Sequence, residues 1–143
     1  MHWFDFEAFY TEARRVLKPG GIIAAWAYEI PFITPEIDKM VRYYHDTTVN
    51  EYWQAENRLV EKGYTTIPFP FHEIDNPRFS SGMEMTLDDV VGLLNTWSAT
   101  QRFIENKGFN PTAELRDQLK HYWQNQEEQK QVNWKLCLKV GRV

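Results

Sequence analysis

The run Ile22-Ile23-Ala24-Ala25-Trp26-Ala27-Tyr28 constrains this chain more than any other feature. It has strand length and no polar alternation, which predicts a strand covered on both faces, as in a parallel sheet. Pro19-Gly20-Gly21 stands just before it and ends the preceding element sharply. That element reads as a helix, because Phe6, Phe9, Tyr10, Ala13, Val16 and Leu17 recur at helical spacing and Asp5 is placed to cap its N-terminus. Arg14, Arg15 and Lys18 fall in its last turns, where they complement the helix dipole. Helix, tight turn and buried strand make half of a βαβ unit. The helix starts too soon after Met1 for the preceding parallel strand to fit, so the chain reads as a piece of something larger. A complete domain that opens on a helix is the alternative.

Beyond the strand, Ile30 to Thr34 read as a turn, and Thr34-Pro35 opens a helix with Ile37, Met40, Val41 and Tyr44 on one face. A shorter helical stretch is expected within Tyr52 to Gly63, with Gly63 as its stop. The segment Ile67-Pro68-Phe69-Pro70-Phe71 cannot be a central strand, since its prolines have no N–H for the ladder. Phe79, Ser81, Met83 and Met85 alternate as an edge strand ending at Thr86, which caps the next helix with Asp89 in the box position. That helix should bury Leu87, Val90, Val91, Leu94 and Trp97 and run on toward Gly108. Another follows Asn110-Pro111 with Leu115, Leu119 and Tyr122 inward, and Gln124 to Gln131 reads as a solvated connection. Last, Val132, Trp134, Leu136, Leu138 and Val140 alternate with Asn133, Lys135, Cys137 and Lys139, the pattern of a strand with the first set buried. This strand is expected to pair antiparallel with Ile22–Tyr28, with the strand near Phe79–Met85 outside that pair.

Composition removes several function classes. A net charge of −4 without a basic stripe argues against nucleic acid as a partner. No stretch approaches the ~20 apolar residues that span a bilayer, and no membrane partner is expected. The lone Cys137 excludes an internal disulfide framework and fits a reducing cytoplasm. His2, His45, His72 and His121 lie far apart without ligand spacing, so no metal site is expected and each reads as a surface or capping histidine. Gly20-Gly21 follows a helix C-terminus, where the dipole is negative, and is a turn rather than a phosphate-binding loop.

His2-Trp3-Phe4-Asp5, then Ala13-Arg14-Arg15-Val16-Leu17-Lys18-Pro19-Gly20-Gly21, then a strand ending in Trp26-Ala27-Tyr28, resemble the segment of class I S-adenosylmethionine-dependent methyltransferases that follows their fourth sheet strand and leads into the fifth. Trp97-Ser98-Ala99-Thr100-Gln101 and the closing strand from Trp134 resemble the bacterial and fungal branch called type 11, or trans-aconitate-methyltransferase-like. The resemblance covers nearly the whole chain. It implies an α/β fold, a partial Rossmann-like methyltransferase fold whose mixed sheet has one parallel-type strand plus antiparallel C-terminal strands. Residues 1–143 would be one domain, the C-terminal portion of a methyltransferase domain, with 33–110 inserted on the substrate side.

The family's glycine-rich loop after its first strand and the acidic residue that binds ribose have no counterpart here. By resemblance, His2, Trp3 and Phe4 would border S-adenosylmethionine only if the missing half were supplied; Trp3 and Phe4 equally suit a hydrophobic staple on the first helix. Trp26 and Tyr28, at the C-terminal end of a parallel-type strand, are substrate-side candidates, with a core role open for Trp26. Tyr44, Trp53, Trp97 and Arg102 would form a lid or wall, the arginine pairing a substrate carboxylate or simply solvated. Methyl transfer from a sulfonium depends on positioning and exclusion of water, so the absence of an acid–base dyad is no objection, and no catalytic residue is assigned. The chain is thus expected to be a portion of a small-molecule methyltransferase, inactive and without bound cofactor by itself, and a homodimer or larger assembly. A non-enzymatic self-associating domain and a binding module for a small apolar ligand are the alternatives.

Overall fold

A computed structural model describes residues 1–125 and 127–143. The architecture is α/β, with α1 (Phe6–Val16), β1 (Ile22–Tyr28), α2 (Pro35–Tyr43), α3 (Asn57–Glu61), β2 (His72–Glu73), β3 (Phe79–Met85), α4 (Leu87–Asn95), α5 (Ser98–Lys107), α6 (Thr112–Leu119) and β4 (Lys130–Arg142). Two compact units are present, one of Met1–Glu29, Ala55–Ser80 and Lys135–Val143, the other of Ile30–Gln54 and Ser81–Trp134. β4 runs through both.

In the first unit β1 and β4 pair antiparallel as expected, from Ile22 opposite Arg142 to Tyr28 opposite Leu136, and β2 pairs the end of β4 on its other edge. Asp5 caps α1 by accepting from the Ala8 N–H at 2.8 Å. Gly20 closes the following turn at φ +78°, a conformation that favours glycine. Tyr10 is buried against Phe69 and Phe71, and its hydroxyl donates to the Pro68 carbonyl at 2.5 Å. The proline-punctuated segment, barred from a ladder, thus has a carbonyl satisfied by α1 instead. Val16, expected inward, is exposed.

Two burial patterns reverse the expectation. β1 is not covered on both faces: Ala25 is buried, while Ile22, Trp26 and Tyr28 lie open, so the larger residues point outward. On β4, Cys137, Lys139 and Gly141 are buried in this unit and Leu136, Leu138 and Val140 only half-buried. The cause is the layer beneath, where Phe6, Tyr64 and Ile67 pack with Ala25 and Cys137. Lys139 is tolerated there because its ammonium donates to both Glu73 oxygens at 3.1 and 3.0 Å and lies 5.2 Å from the Phe69 ring centroid.

The second unit holds the larger core, in which Ile37, Val41, Leu94, Leu119 and Val132 are among the fully buried side chains. Thr86 and Asp89 make the expected capping box at the start of α4. The helix expected to continue to Gly108 is broken: the Thr96 hydroxyl donates to the Leu93 carbonyl, Trp97 turns extended at ψ 133°, and α5 begins anew. Tyr122, expected inward, is exposed in a short 3-10 turn, whereas Leu115 and Leu119 are buried. β3 lies outside the β1–β4 pair, as expected, and itself pairs with β4, which is long enough for both. Of the expected connection from Gln124 to Gln131, Gln126 lies outside the described residues, and Lys130 and Gln131 already belong to β4. Among the described residues no helix is long and apolar enough to cross a membrane.

At Gly141 a Cβ would meet Phe69 Cε1 at 2.6 Å and Phe71 Cβ at 2.9 Å. A ring can turn, but Phe71 Cβ is tied to its backbone. Gly141→Ala is therefore expected to cost ~1–3 kcal/mol through overpacking, read as a lower urea midpoint with unchanged slope. A wild-type midpoint would show that the aromatic layer retreats freely.

Candidate functional site

The described residues bring three of the expected substrate-side residues together in the second unit. Thr34 and Pro35 start α2, Ile37 and Val41 carry its buried stripe, and the helix then widens into a π-helical turn over Tyr44–Thr48. Such turns are frequent at functional sites. Here the two neighbours Tyr44 and His45 are both buried, 2% and 4% exposed. The Tyr44 ring lies 6.2 Å from Trp97, and Trp97 lies 5.5 Å from Trp53, all between centroids.

His45 completes the cluster, 4.8 Å from Trp53 and 5.6 Å edge-on to Trp97. The reading of this histidine as a surface group is thereby corrected. Its Nδ1 lies 2.6 Å from Asp46 Oδ1, and an ionised carboxylate only accepts, so Nδ1 carries the proton. The Trp53 indole N–H donates to the His45 carbonyl at 3.3 Å, tying the rings to the turn's backbone. A legible signal existed, since His45 extends the i, i+4 series of Ile37 and Val41. The rings touch one another, with Tyr44 and His45 buried and only Trp53 and Trp97 half-open, so the two indoles are the part of the cluster that can lie as a wall against a planar or apolar molecule.

Behind this wall the Thr100 hydroxyl donates to the Leu94 carbonyl at 2.9 Å, so the Tyr44 hydroxyl, 2.8 Å away, must donate to Thr100. Burial pushes the Tyr44 phenol above its usual range. Arg102 stands half-buried on α5 in the same unit and forms no ion pair among the described residues.

The remaining candidates belong to the first unit. Trp26 and Tyr28 occupy the open face of β1, 66% and 62% exposed. His2 Nδ1 lies 2.7 Å from the Tyr64 hydroxyl, and the Trp3 ring lies 4.9 Å from His2. Phe4 packs its ring 5.1 Å from Phe9, the N′ to N4 contact of a hydrophobic staple, which bears out that alternative for Phe4.

Fitting S-adenosylmethionine to this segment fails on its polar requirements. His2 is engaged with Tyr64 and the Asp5 carboxylate with the helix cap, which leaves the half-open rings of Trp3 and Phe4 as stacking surface without oriented partners for ribose or carboxylate. Among the described residues no cluster of His, Cys, Asp or Glu could hold a metal.

No protein-family model matches the chain. It is 27% identical over 121 residues to a candidate methyltransferase of Dictyostelium discoideum, an alignment covering 82% of this chain and 46% of that protein. Its fold matches the solved structure of a candidate type II methyltransferase from Anaeromyxobacter dehalogenans with a TM-score of 0.90 and 35% identity, over 99% of this chain and 60% of the other. The chain therefore spans about half the length of its curated relative and three-fifths of the solved one. By sequence and by fold it is similar to methyltransferases.

The hydroxyl relay behind the wall gives an asymmetric expectation. Tyr44→Phe removes one donor and should cost about 1 kcal/mol, whereas Thr100→Val strands the buried phenol, while the Leu94 carbonyl keeps the Trp97 N–H at 3.2 Å, and should cost roughly 2–3 kcal/mol. Urea unfolding of the two variants decides, and equal losses would refute the relay. At His2, burial and the nearby N-terminal ammonium lower the imidazole below 6.5, with Glu56 opposing. The unfolded chain then binds more protons than the folded one just below that value, so stability is full above pH 6.5 and falls as the pH drops through the lowered value. The wild-type melting temperature should decline more than that of His2→Asn between neutral and mildly acid pH, and parallel curves would contradict the contribution of His2.

Proposed function

We propose that this chain is the acceptor-side portion of an S-adenosylmethionine-dependent methyltransferase that acts on a small molecule, of the type 11 or trans-aconitate-methyltransferase-like branch. The observation that carries the reading is the match to the Anaeromyxobacter protein, at 35% identity and a TM-score of 0.90 over 99% of the chain. S-adenosylmethionine, when bound by the whole enzyme, supplies a sulfonium methyl group for in-line displacement. The polar contacts that fix it would be carried outside these residues.

This chain's contribution is surface and orientation. The half-open indoles of Trp53 and Trp97, backed by the buried Tyr44 and His45, offer a wall against which an acceptor can be held away from water, which is most of what methyl transfer asks of a protein. Arg102 is free of ion pairs among the described residues and is available to a carboxylate acceptor. The single free thiol, Cys137, supports residence in a reducing compartment such as the cytoplasm.

Two measurements test the reading. Titrated alone by calorimetry, the chain should bind S-adenosylmethionine more weakly than about 10 µM, roughly −7 kcal/mol. Grafted in place of the segment it matches in the Anaeromyxobacter protein, it should leave cofactor binding intact and support release of S-adenosylhomocysteine over a panel of small oxygen acceptors, with Trp53→Ala and Trp97→Ala raising the acceptor KM. Tight binding by the isolated chain, or a folded graft that binds no cofactor, would overturn it.

A further inference from the structure

Neither half-open indole of the second unit is carried by a helical backbone. Trp53 follows a short 3-10 turn at ψ 134°, and Trp97 stands extended between α4 and α5 at ψ 133°. A ring set on extended backbone takes its orientation from what it packs against more than from its own element. Both indoles pack on the same group. The His45 ring lies 4.8 Å from Trp53 and 5.6 Å edge-on to Trp97, and the His45 carbonyl accepts the Trp53 indole N–H at 3.3 Å. The imidazole is therefore the template on which the pair is set, and all three residues belong to the second unit.

An imidazole turns easily about its Cβ–Cγ bond unless a polar partner holds it. Asp46 Oδ1, 2.6 Å from Nδ1, supplies a charge-assisted hydrogen bond that does so. The two partners differ in surroundings, the imidazole side chain being 6% exposed and the carboxylate 55%. Asp46 thus fills no core, and its removal takes away an acceptor rather than packing.

We propose that Asp46 is a positioning residue of the acceptor wall: by holding the His45 ring it sets the angle between Trp53 and Trp97, and through them the affinity for the acceptor. This rests on the reading of the two indoles as acceptor-side residues. Asp46 takes no part in methyl transfer itself and acts through His45. An amide oxygen accepts from Nδ1–H as a carboxylate does, so Asp46→Asn should keep the wall in place, whereas Asp46→Ala should let the imidazole turn.

Two indoles 5.5 Å apart and tilted by 53° couple their electronic transitions, which gives a paired band of opposite signs in circular dichroism. In the whole chain Asp46→Ala should shrink that band and Asp46→Asn should retain it. Trp53→Phe breaks the pair and should abolish the band, after which adding Asp46→Ala should change nothing further. In the graft described above, Asp46→Ala should raise the acceptor KM about two- to tenfold, the worth of one aromatic pairing, at unchanged kcat, and Asp46→Asn should restore it. An inactive graft counts against the methyltransferase reading alone, and the spectra of the whole chain then decide on Asp46. Should Asp46→Ala fail to fold, Asp46→Ser decides, because it keeps the exposed position polar while withdrawing the acceptor from Nδ1. An unchanged band in Asp46→Ala, an effect that persists in full in the Trp53→Phe background, or an Asp46→Asn that behaves as Asp46→Ala does, overturns the proposal.

Discussion

Backbone pairing along β4 is the constraint on which the rest of the structure depends. Each of the other named strands hydrogen-bonds to it, β1 on one edge, β2 and β3 elsewhere along its length. With 13 residues it extends about 43 Å at ~3.3 Å per residue, roughly twice the usual strand. That length lets one strand enter both compact units. Within the second unit it buries Val132, an even-numbered position, and within the first it buries Cys137, Lys139 and Gly141, all odd. Since side chains alternate across a strand, the parity of the buried positions switches along β4.

This switch explains where the sequence was legible and where it was not. Strict alternation from Val132 to Val140 predicts a strand and its antiparallel partner, because alternation reports an amphipathic ribbon. It says nothing about a ribbon whose buried positions change parity partway, and the assumption of a single buried parity therefore put Cys137 and Lys139 in solvent. The apolar run of β1 misled for a related reason. Apolarity shows that a face tolerates cover, not that the described residues supply it, and the larger side chains Ile22, Trp26 and Tyr28 point away from the small core built on Ala25 and Tyr64. Local chemistry was read more securely. The Asp5 and Thr34 caps, the Thr86–Asp89 box and the Gly20 turn depend on a few adjacent residues and stand where expected.

The aromatic wall shows the same division between local and long-range information. Tyr44, Trp53 and Trp97 were identified from a family resemblance, yet what assembles them is the π-helical turn over Tyr44–Thr48 and the break between α4 and α5. The first faces Tyr44 and His45 inward together; the second sets Trp97 in extended backbone between two helices, where its indole can reach both Trp53 and Tyr44. His45 lies on the i, i+4 series of Ile37 and Val41, but as a polar residue type beyond the apolar stripe it read as a surface group. Its burial is made tolerable by Asp46, whose carboxylate accepts from Nδ1 while remaining 55% exposed to water.

In the first unit the corresponding device is a strained residue. Gly63 and Tyr64 lie in succession at φ +58° and +59°, and for a tyrosine this conformation costs roughly 1–3 kcal/mol. The ring is completely buried, which contributes ~1.5–3 kcal/mol, enough to offset the strain. The left-handed pair turns the chain sharply after α3 and drives Tyr64 beneath the sheet, beside Ala25 and Cys137. From there its hydroxyl reaches His2, whose ring in turn meets the Trp3 ring at a tilt of 48°. The segment whose resemblance first pointed to a methyltransferase is therefore positioned from below, by a residue 62 positions away that a reading of local motifs had no reason to single out.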